Sequence, residues 1–240
     1  LSPNTQAVNF EVFSDNNGQQ RVHAQGCLLS QPNLPSVNNL DMQAIKQRCT
    51  KALDKSSCYQ RYLAMGLNYG PTFQAIDVIH RNEIEALASL KLPKQLVTES
   101  KDYMLHPSLL DCSLQTVIGL LNERLDDQTT YLPFSIAQVL IYSAVSDDCY
   151  AYIQYSEKAT KDNNLDELHF DIQLVDENGK LQLAIYDFVT RRLRPRKNVA
   201  TDKASVLPPV QKPVTTKVSN EKDTLYYQPY WHNAPISDSE

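Results

Sequence analysis

The chain has 240 residues, 42% hydrophobic and 21% charged, enough to bury a core in one or two globular units. A formal net charge of -5, with no dense basic stripe, excludes a general electrostatic pull toward nucleic acid or anionic lipid. Five cysteines without a CxxC pair argue against a disulfide framework and a zinc site and fit a reducing cytoplasm, and no apolar run is long enough for a membrane span.

In chain order, AVNFEVFS alternates Val8, Phe10 and Val12 with polar neighbours, and RVHAQGCLL follows the turn signal Asp15-Asn16-Asn17-Gly18, which predicts a hairpin. The opening residues lack an initiating Met and read as strand, as in a segment cut from a longer polypeptide. Two prolines make residues 31–35 a connector. Residues 41–66 carry helix signals: Asp41 and Asp54 as caps, Ile45 with Cys49 on one face, Tyr59, Tyr62 and Leu63 on another, and Gly66 as a stop. Phe73 to Ile79 and Ile84 to Leu92 flank Arg81-Asn82-Glu83 as a second hairpin. Pro107 opens an apolar helix, through Leu110, Leu114, Val117, Ile118 and Leu121, to about Arg124. Strands are expected over 131–142, 149–156 and 167–175, then, after Asp176-Glu177-Asn178-Gly179, over LQLAIYDFVTRRL. The tract from Pro195 to Asp223 reads as a solvated linker, and the aromatic cluster from Leu225 to Trp231 as the start or anchor of another domain. One helix among several antiparallel strands implies an α+β layer in which the sheet wraps the helix. No Gly-rich phosphate loop, HExxH or GxSxG is present.

The stretch carrying most chemistry is Leu105-His106-Pro107-Ser108-Leu109-Leu110-Asp111-Cys112-Ser113-Leu114-Gln115. Asp is a poor interior helix former, and a carboxylate against an apolar face must be paired or protonated, so Asp111 is a candidate acid. The alternative is an Asp that faces solvent or ties down a loop. Gln115, one turn on, is placed to orient the carboxyl, or else is a surface side chain. Tyr69-Gly70-Pro71 forms a tight loop. His106 reads as a cap or packing residue, and Phe73 and Phe134 as core. His80, His169 and His232 are expected to pack or be exposed.

The run HPSLLDCSLQ resembles the HPxLLDxxxQ motif of dehydratase domains in modular polyketide synthases and related fatty acid synthases. In the same order, Gly66 to Gln74 is similar to the family's GxxYGPxFQ, Tyr131 to Ser135 to its LPFS, Asp176 to Arg192 to its closing hairpin, and Tyr226 to Trp231 to a YYxPxW lead-in of a following ketoreductase region. The resemblance implies a double hotdog, two tandem units each with a long helix wrapped by a curved antiparallel sheet. Residues 1–35 would hold the final strands of the first unit and a connector, 36–195 the second unit, 196–223 a disordered linker and 224–240 the start of the next domain. In the reaction it implies, a His from the first unit takes the proton next to the thioester carbonyl, and Asp111 protonates the departing β-hydroxyl, with Tyr69 lining the substrate entry. The substrate rides the phosphopantetheine arm of an acyl carrier protein, and the domain itself needs no cofactor or metal. Implied partners are that carrier, neighbouring synthase domains, the missing first unit and a homodimer mate, with no nucleic acid or membrane.

The family's base belongs to HxxxGxxxxP, which no stretch matches; the nearest is His23-Ala24-Gln25-Gly26 with Pro32, where the Gly comes one residue early. The first unit's catalytic loop is therefore expected upstream of Leu1, and this chain alone to be nearly inactive. Arg191, Arg192 and Arg194, with Arg196 and Lys197, are candidates for docking the acidic carrier, against a solvated strand end. Beside the dehydration of 3-hydroxyacyl thioesters to 2-enoyl thioesters stand a double-bond isomerase or pyran-forming cyclase in the same cleft, and a non-catalytic scaffold.

Overall fold

A computed structural model describes residues 7–16, 19–29, 34–121, 129–157 and 166–193. The chain divides into two units, Leu1–Pro195 and Arg196–Glu240, and the second lies outside the described residues together with the expected linker and aromatic cluster. Strands β1 (Ala7–Asn16) and β2 (Gln19–Leu29) form the first hairpin as a sheet of their own. The expected turn at Asn17-Gly18 and most of the 31–35 connector fall outside the described residues.

Helix α1 (Met42–Arg48) starts where Asp41 accepts the Ala44 amide at 2.9 Å, and α2 (Lys55–Ala64) where Asp54 accepts the Ser57 amide at 3.0 Å. Between them the chain makes β3 (Lys51–Asp54), a strand within a stretch whose residues carry helix signals. Pairing with β4 (Ile76–Arg81) decides its state, since four residues are too few for local propensity to prevail. On α2 the shared apolar face is narrower than the spacing suggests: Tyr62 is buried and Leu63 is exposed.

Strands β4, β5 (Glu85–Lys91), β6 (Tyr131–Ile141), β7 (Asp148–Tyr155), β8 (Glu167–Val175) and β9 (Leu181–Arg192) join β3 in one antiparallel sheet of order β3-β4-β5-β7-β8-β9-β6. Gly179 turns the chain between β8 and β9 at φ +76°, and its carbonyl accepts the Leu40 amide at 2.8 Å.

Helix α3 (Pro107–Gln115) packs on one face of the sheet, where Leu109, Cys112 and Ile118 join Ile79, Ala88, Ile153, Phe170, Ile172 and Phe188 in the main core. Burying each large side chain contributes roughly 1.5–3 kcal/mol. The α-helix ends earlier than Arg124. Thr116 turns its hydroxyl onto the Cys112 carbonyl at 3.1 Å while its amide moves to Ser113, so the last turn, Thr116–Gly119, tightens to a 3₁₀ helix. Gly119 brings that turn against the strands: a Cβ there would lie 2.9 Å from Ile79 and 3.1 Å from Ala86. On the opposite face Ile45 of α1 and Cys49, which caps its end, pack against Leu87. Beside them Arg48 grips Glu85 with two hydrogen bonds of 2.7 and 3.0 Å, and Glu85 also accepts from Tyr152 and Asn82. That set of donors, Arg48 first, holds the Glu85 carboxyl down at about 2.

Two aromatic residues expected in the core are not there: Phe73 is partly exposed, and Phe134, on the edge strand β6, is 54% exposed with the Arg191 guanidinium 3.3 Å above its ring. For Phe134 edge position is the reason, since β6 is paired on one side only, and Phe73 lies in the 3₁₀ turn Pro71–Phe73 ahead of β4.

Candidate active site

The site is built on a stripe of α3. Ser108, Cys112 and Gln115 are four and three places apart, so they share a helical face. All three hold the backbone of the loop ahead of β4. Ser108 Oγ donates to the Thr72 carbonyl at 2.5 Å, and Cys112 Sγ donates to the Phe73 carbonyl at 3.4 Å and accepts from the Ala75 amide at 3.2 Å. Gln115 Nε2 donates to the same Phe73 carbonyl at 3.1 Å. The loop is also tied internally: Pro71 opens a 3₁₀ turn closed by Phe73 N to Gly70 O, 2.9 Å, and Gln74 Nε2 donates to Tyr69 O at 2.8 Å. Helix and loop are thus fastened to each other.

Asp111 sits half-buried beside this stripe, and Gln115 Nε2 donates to its Oδ2 at 2.7 Å. Because Phe73 O and Asp111 Oδ2 are both acceptors, the amide orientation of Gln115 is fixed and both its N–H groups are used. Burial pushes the Asp111 carboxyl above the usual carboxylate range, and the Gln115 amide pulls the other way without cancelling it.

Three tyrosines stand against the site. Tyr62 and Tyr69 meet edge-to-face with ring centroids 5.0 Å apart, and Tyr59 lies 6.5 and 6.3 Å from them. Burial, then the neighbouring Asp111, pushes the Tyr69 phenol up to about 12, and burial raises Tyr62 further. Both stay neutral donors at ordinary pH.

Of the residues singled out in the sequence, Asp111, Gln115 and the Tyr69-Gly70-Pro71 loop come together. His106 lies at the start of α3, buried, with Nδ1 accepting the Ser108 amide at 3.1 Å, which leaves the proton of the neutral ring on Nε2, 3.3 Å from Glu99 Oε1. Arg191 and Arg192 are at the far end of β9, where Arg191 pairs with Glu167 at 2.6 Å and Arg192 reaches Thr129 at 3.3 Å; Arg194 is outside the described residues. His23 is exposed in the hairpin, 2.7 Å from Ser14 Oγ.

The helical spacing of Ser108, Cys112 and Gln115 was a signal available in the sequence, but nothing there says that a loop backbone is the partner. The His169–Asp187 pair, 2.6 Å apart, had no such signal: Asp187 has φ +53° at a bulge in β9, and its amide donates to Asp171 at 2.8 Å.

This arrangement is that of a hotdog-type dehydratase domain, an α+β fold. A family model described as polyketide synthase dehydratase N-terminal domain matches residues 38–198, and the chain belongs to the polyketide synthase dehydratase family. It is 30% identical over 188 residues to the polyketide synthase PksN of Bacillus subtilis (strain 168), covering 78% of this chain and 3% of PksN. Among solved structures, a trans-AT polyketide synthase dehydratase domain from Brevibacillus brevis matches with a TM-score of 0.72 and 29% identity, over 78% of this chain and 66% of that one. The CurK dehydratase of the curacin polyketide synthase matches as two variants, each described as inactive. One carries Phe for a His (TM-score 0.68, 27% identity, 78% of this chain and 64% of that one), the other Asn for an Asp (0.67, 26%, 79% and 65%). The chain thus spans a few per cent of the synthase and about two thirds of the solved domains.

Proposed function

We propose that this chain is the acid-bearing part of a dehydratase that converts 3-hydroxyacyl thioesters, carried on the phosphopantetheine arm of an acyl carrier protein, into 2-enoyl thioesters. The observation that carries this is a half-buried Asp111 whose carboxyl is raised by burial, held by Gln115 beside the Tyr69 loop. Both CurK variants described as inactive alter the two residue types such an elimination needs, a His and an Asp. The family model is described as an N-terminal domain; we place this chain in the acid-bearing half because Asp111 and Gln115 sit in its HPSLLDCSLQ run.

In the complete site a His base from another unit takes the proton on Cα, its C–H electrons form the Cα–Cβ double bond, and the Cβ–O bond breaks. Asp111, protonated, gives its proton to the departing hydroxyl, which leaves as water. The Gln115 amide holds the carboxyl so that its free oxygen faces the substrate. Carrier docking at Arg191 and Arg192 uses a surface already paired with Glu167 and Thr129, so charge reversal there lowers turnover of the carrier-linked substrate more than that of a free thioester. A cytoplasmic site of action fits the cysteine usage, five cysteines without a CxxC pair.

The test is Asp111→Asn in the full parent synthase, assayed with a 3-hydroxyacyl thioester. Loss of about 10²-fold or more in 2-enoyl product at unchanged thermal unfolding is expected. Undiminished product would reduce the domain to a scaffold, and a shifted double bond or an oxygen ring as the wild-type product would make it an isomerase or cyclase.

A further inference from the structure

Tyr62 is buried, and no part of the chemistry above uses it. It lies on α2, 53 positions before Gln115 in sequence, yet its hydroxyl donates to the main-chain carbonyl of Gln115. That carbonyl sits where α3 gives way to the 3₁₀ turn at Thr116, so the Tyr62 hydroxyl holds the junction between the two helical segments. The same ring stands edge-on to Tyr69 at 5.0 Å. A single side chain therefore touches both parts of the site: the residue that holds Asp111, and the ring that lines the entry.

We propose that Tyr62 is a positioning residue for the dehydration, fixing the end of α3 so that Gln115 meets Asp111, and fixing Tyr69 against it. The inference rests on the function proposed above. Its physical content is a chain of contacts, Tyr62 Oη to Gln115 O, and Gln115 Nε2 to Asp111 Oδ2 at 2.7 Å and to Phe73 O at 3.1 Å. Both amide hydrogens of Gln115 are already committed, so the side chain has no spare donor with which to hold the carboxyl if the backbone shifts. The titratable groups that face Asp111 are Tyr62 from α2, Tyr69 from the loop and Cys112 on its own helix.

The experiment uses the full parent synthase and a free 3-hydroxyacyl thioester, comparing Tyr62→Phe, Gln115→Leu, the double variant and Asp111→Asn. Tyr62→Phe keeps the ring on Tyr69 and removes only the hydroxyl. It is expected to lower kcat about tenfold with KM within twofold, because the acid is misplaced and not the entry. Loosening the Gln115 amide removes the interaction that pulls the Asp111 carboxyl down, so the alkaline limb of the kcat/KM profile moves to higher pH in Tyr62→Phe, in the same direction as in Gln115→Leu. The double variant is no worse than Gln115→Leu alone. Unchanged kcat, a fall in kcat with the limb in place, or additive losses in the double variant each overturn the role given to Tyr62, provided Asp111→Asn has lost turnover. If Asp111→Asn keeps turnover, the dehydration reading itself fails.

Discussion

The seven-stranded sheet and the β1–β2 hairpin use the same sequence pattern and reach opposite outcomes. In β8, Phe170, Ile172 and Leu174 alternate with polar residues and are fully buried; in β1, Val8, Phe10 and Val12 alternate in the same way and are 58%, 41% and 53% exposed. Strand β6 is intermediate: Leu140 and Tyr131 are buried, while Phe134, Ile136, Val139 and Ile141 are not. Alternation fixes which side chains share a face, whereas burial needs a second layer over that face. The body has that layer in α3 and α1. Apolar rows this exposed are unlike an ordinary solvated face, and about a third of the solved Brevibacillus brevis dehydratase chain lies outside the match.

The contrast is broken most sharply by cutting into the covered side. Phe170→Ala removes a ring stacked on Tyr155 at 5.2 Å and packed near Phe188, and should cost about 3–5 kcal/mol in urea unfolding of the chain. A loss below about 1 kcal/mol would mean that the sheet face is not close-packed. Gly179→Ala comes next, at roughly 1–3 kcal/mol, because a side chain at φ +76° is strained and its Cβ would fall 2.2 Å from the Leu40 carbonyl oxygen. Thermal unfolding of the variant checks this.

Acid sensitivity sharpens the same contrast from the α1 face. The Glu85 carboxyl titrates near 2 in the fold against an ordinary value of 4.5, chiefly through Arg48. A depressed carboxyl contributes stability that is fully present above about pH 4.5 and is lost as pH falls toward 2. Stability of the wild type should therefore fall more steeply than that of Glu85→Gln across this window, and parallel urea midpoints in the two proteins would contradict the assignment.

Much of this was legible in the sequence because it is local. Asp41 and Asp54 cap the helices whose first turns they precede, the strand runs carry period-two alternation, and Asp111 with Gln115 is a one-turn pair whose hydrogen bond the spacing predicts. What was not legible depends on partners distant along the chain. Strand β3 exists because β4 is beside it, α3 shortens because Thr116 diverts its hydroxyl to Cys112 O and Gly119 lets the turn approach Ile79, and Tyr62 reaches Gln115 across 53 positions. Phe134 was misplaced in the core because hydrophobicity alone cannot say that a strand is an edge, and Phe73 because it cannot say that the residue sits in a surface turn.

The smallest effect is also the most direct test of the comparison between body and hairpin. Phe13 in β1 is half exposed and lies after the register shift at Val12/Phe13, so its removal strips little apolar surface from a packed environment. Phe13→Ala in this chain should change urea stability by no more than about 0.5 kcal/mol, the range of a surface substitution. The same change in the full parent synthase, if the hairpin there lies under a covering layer, should cost several times more, since the ring would then leave a cavity in place of a solvated spot. Equal, small losses in both contexts would mean that the exposed row of β1 is a solvent face in the whole protein too, and that its alternation reflects pairing with β2 alone.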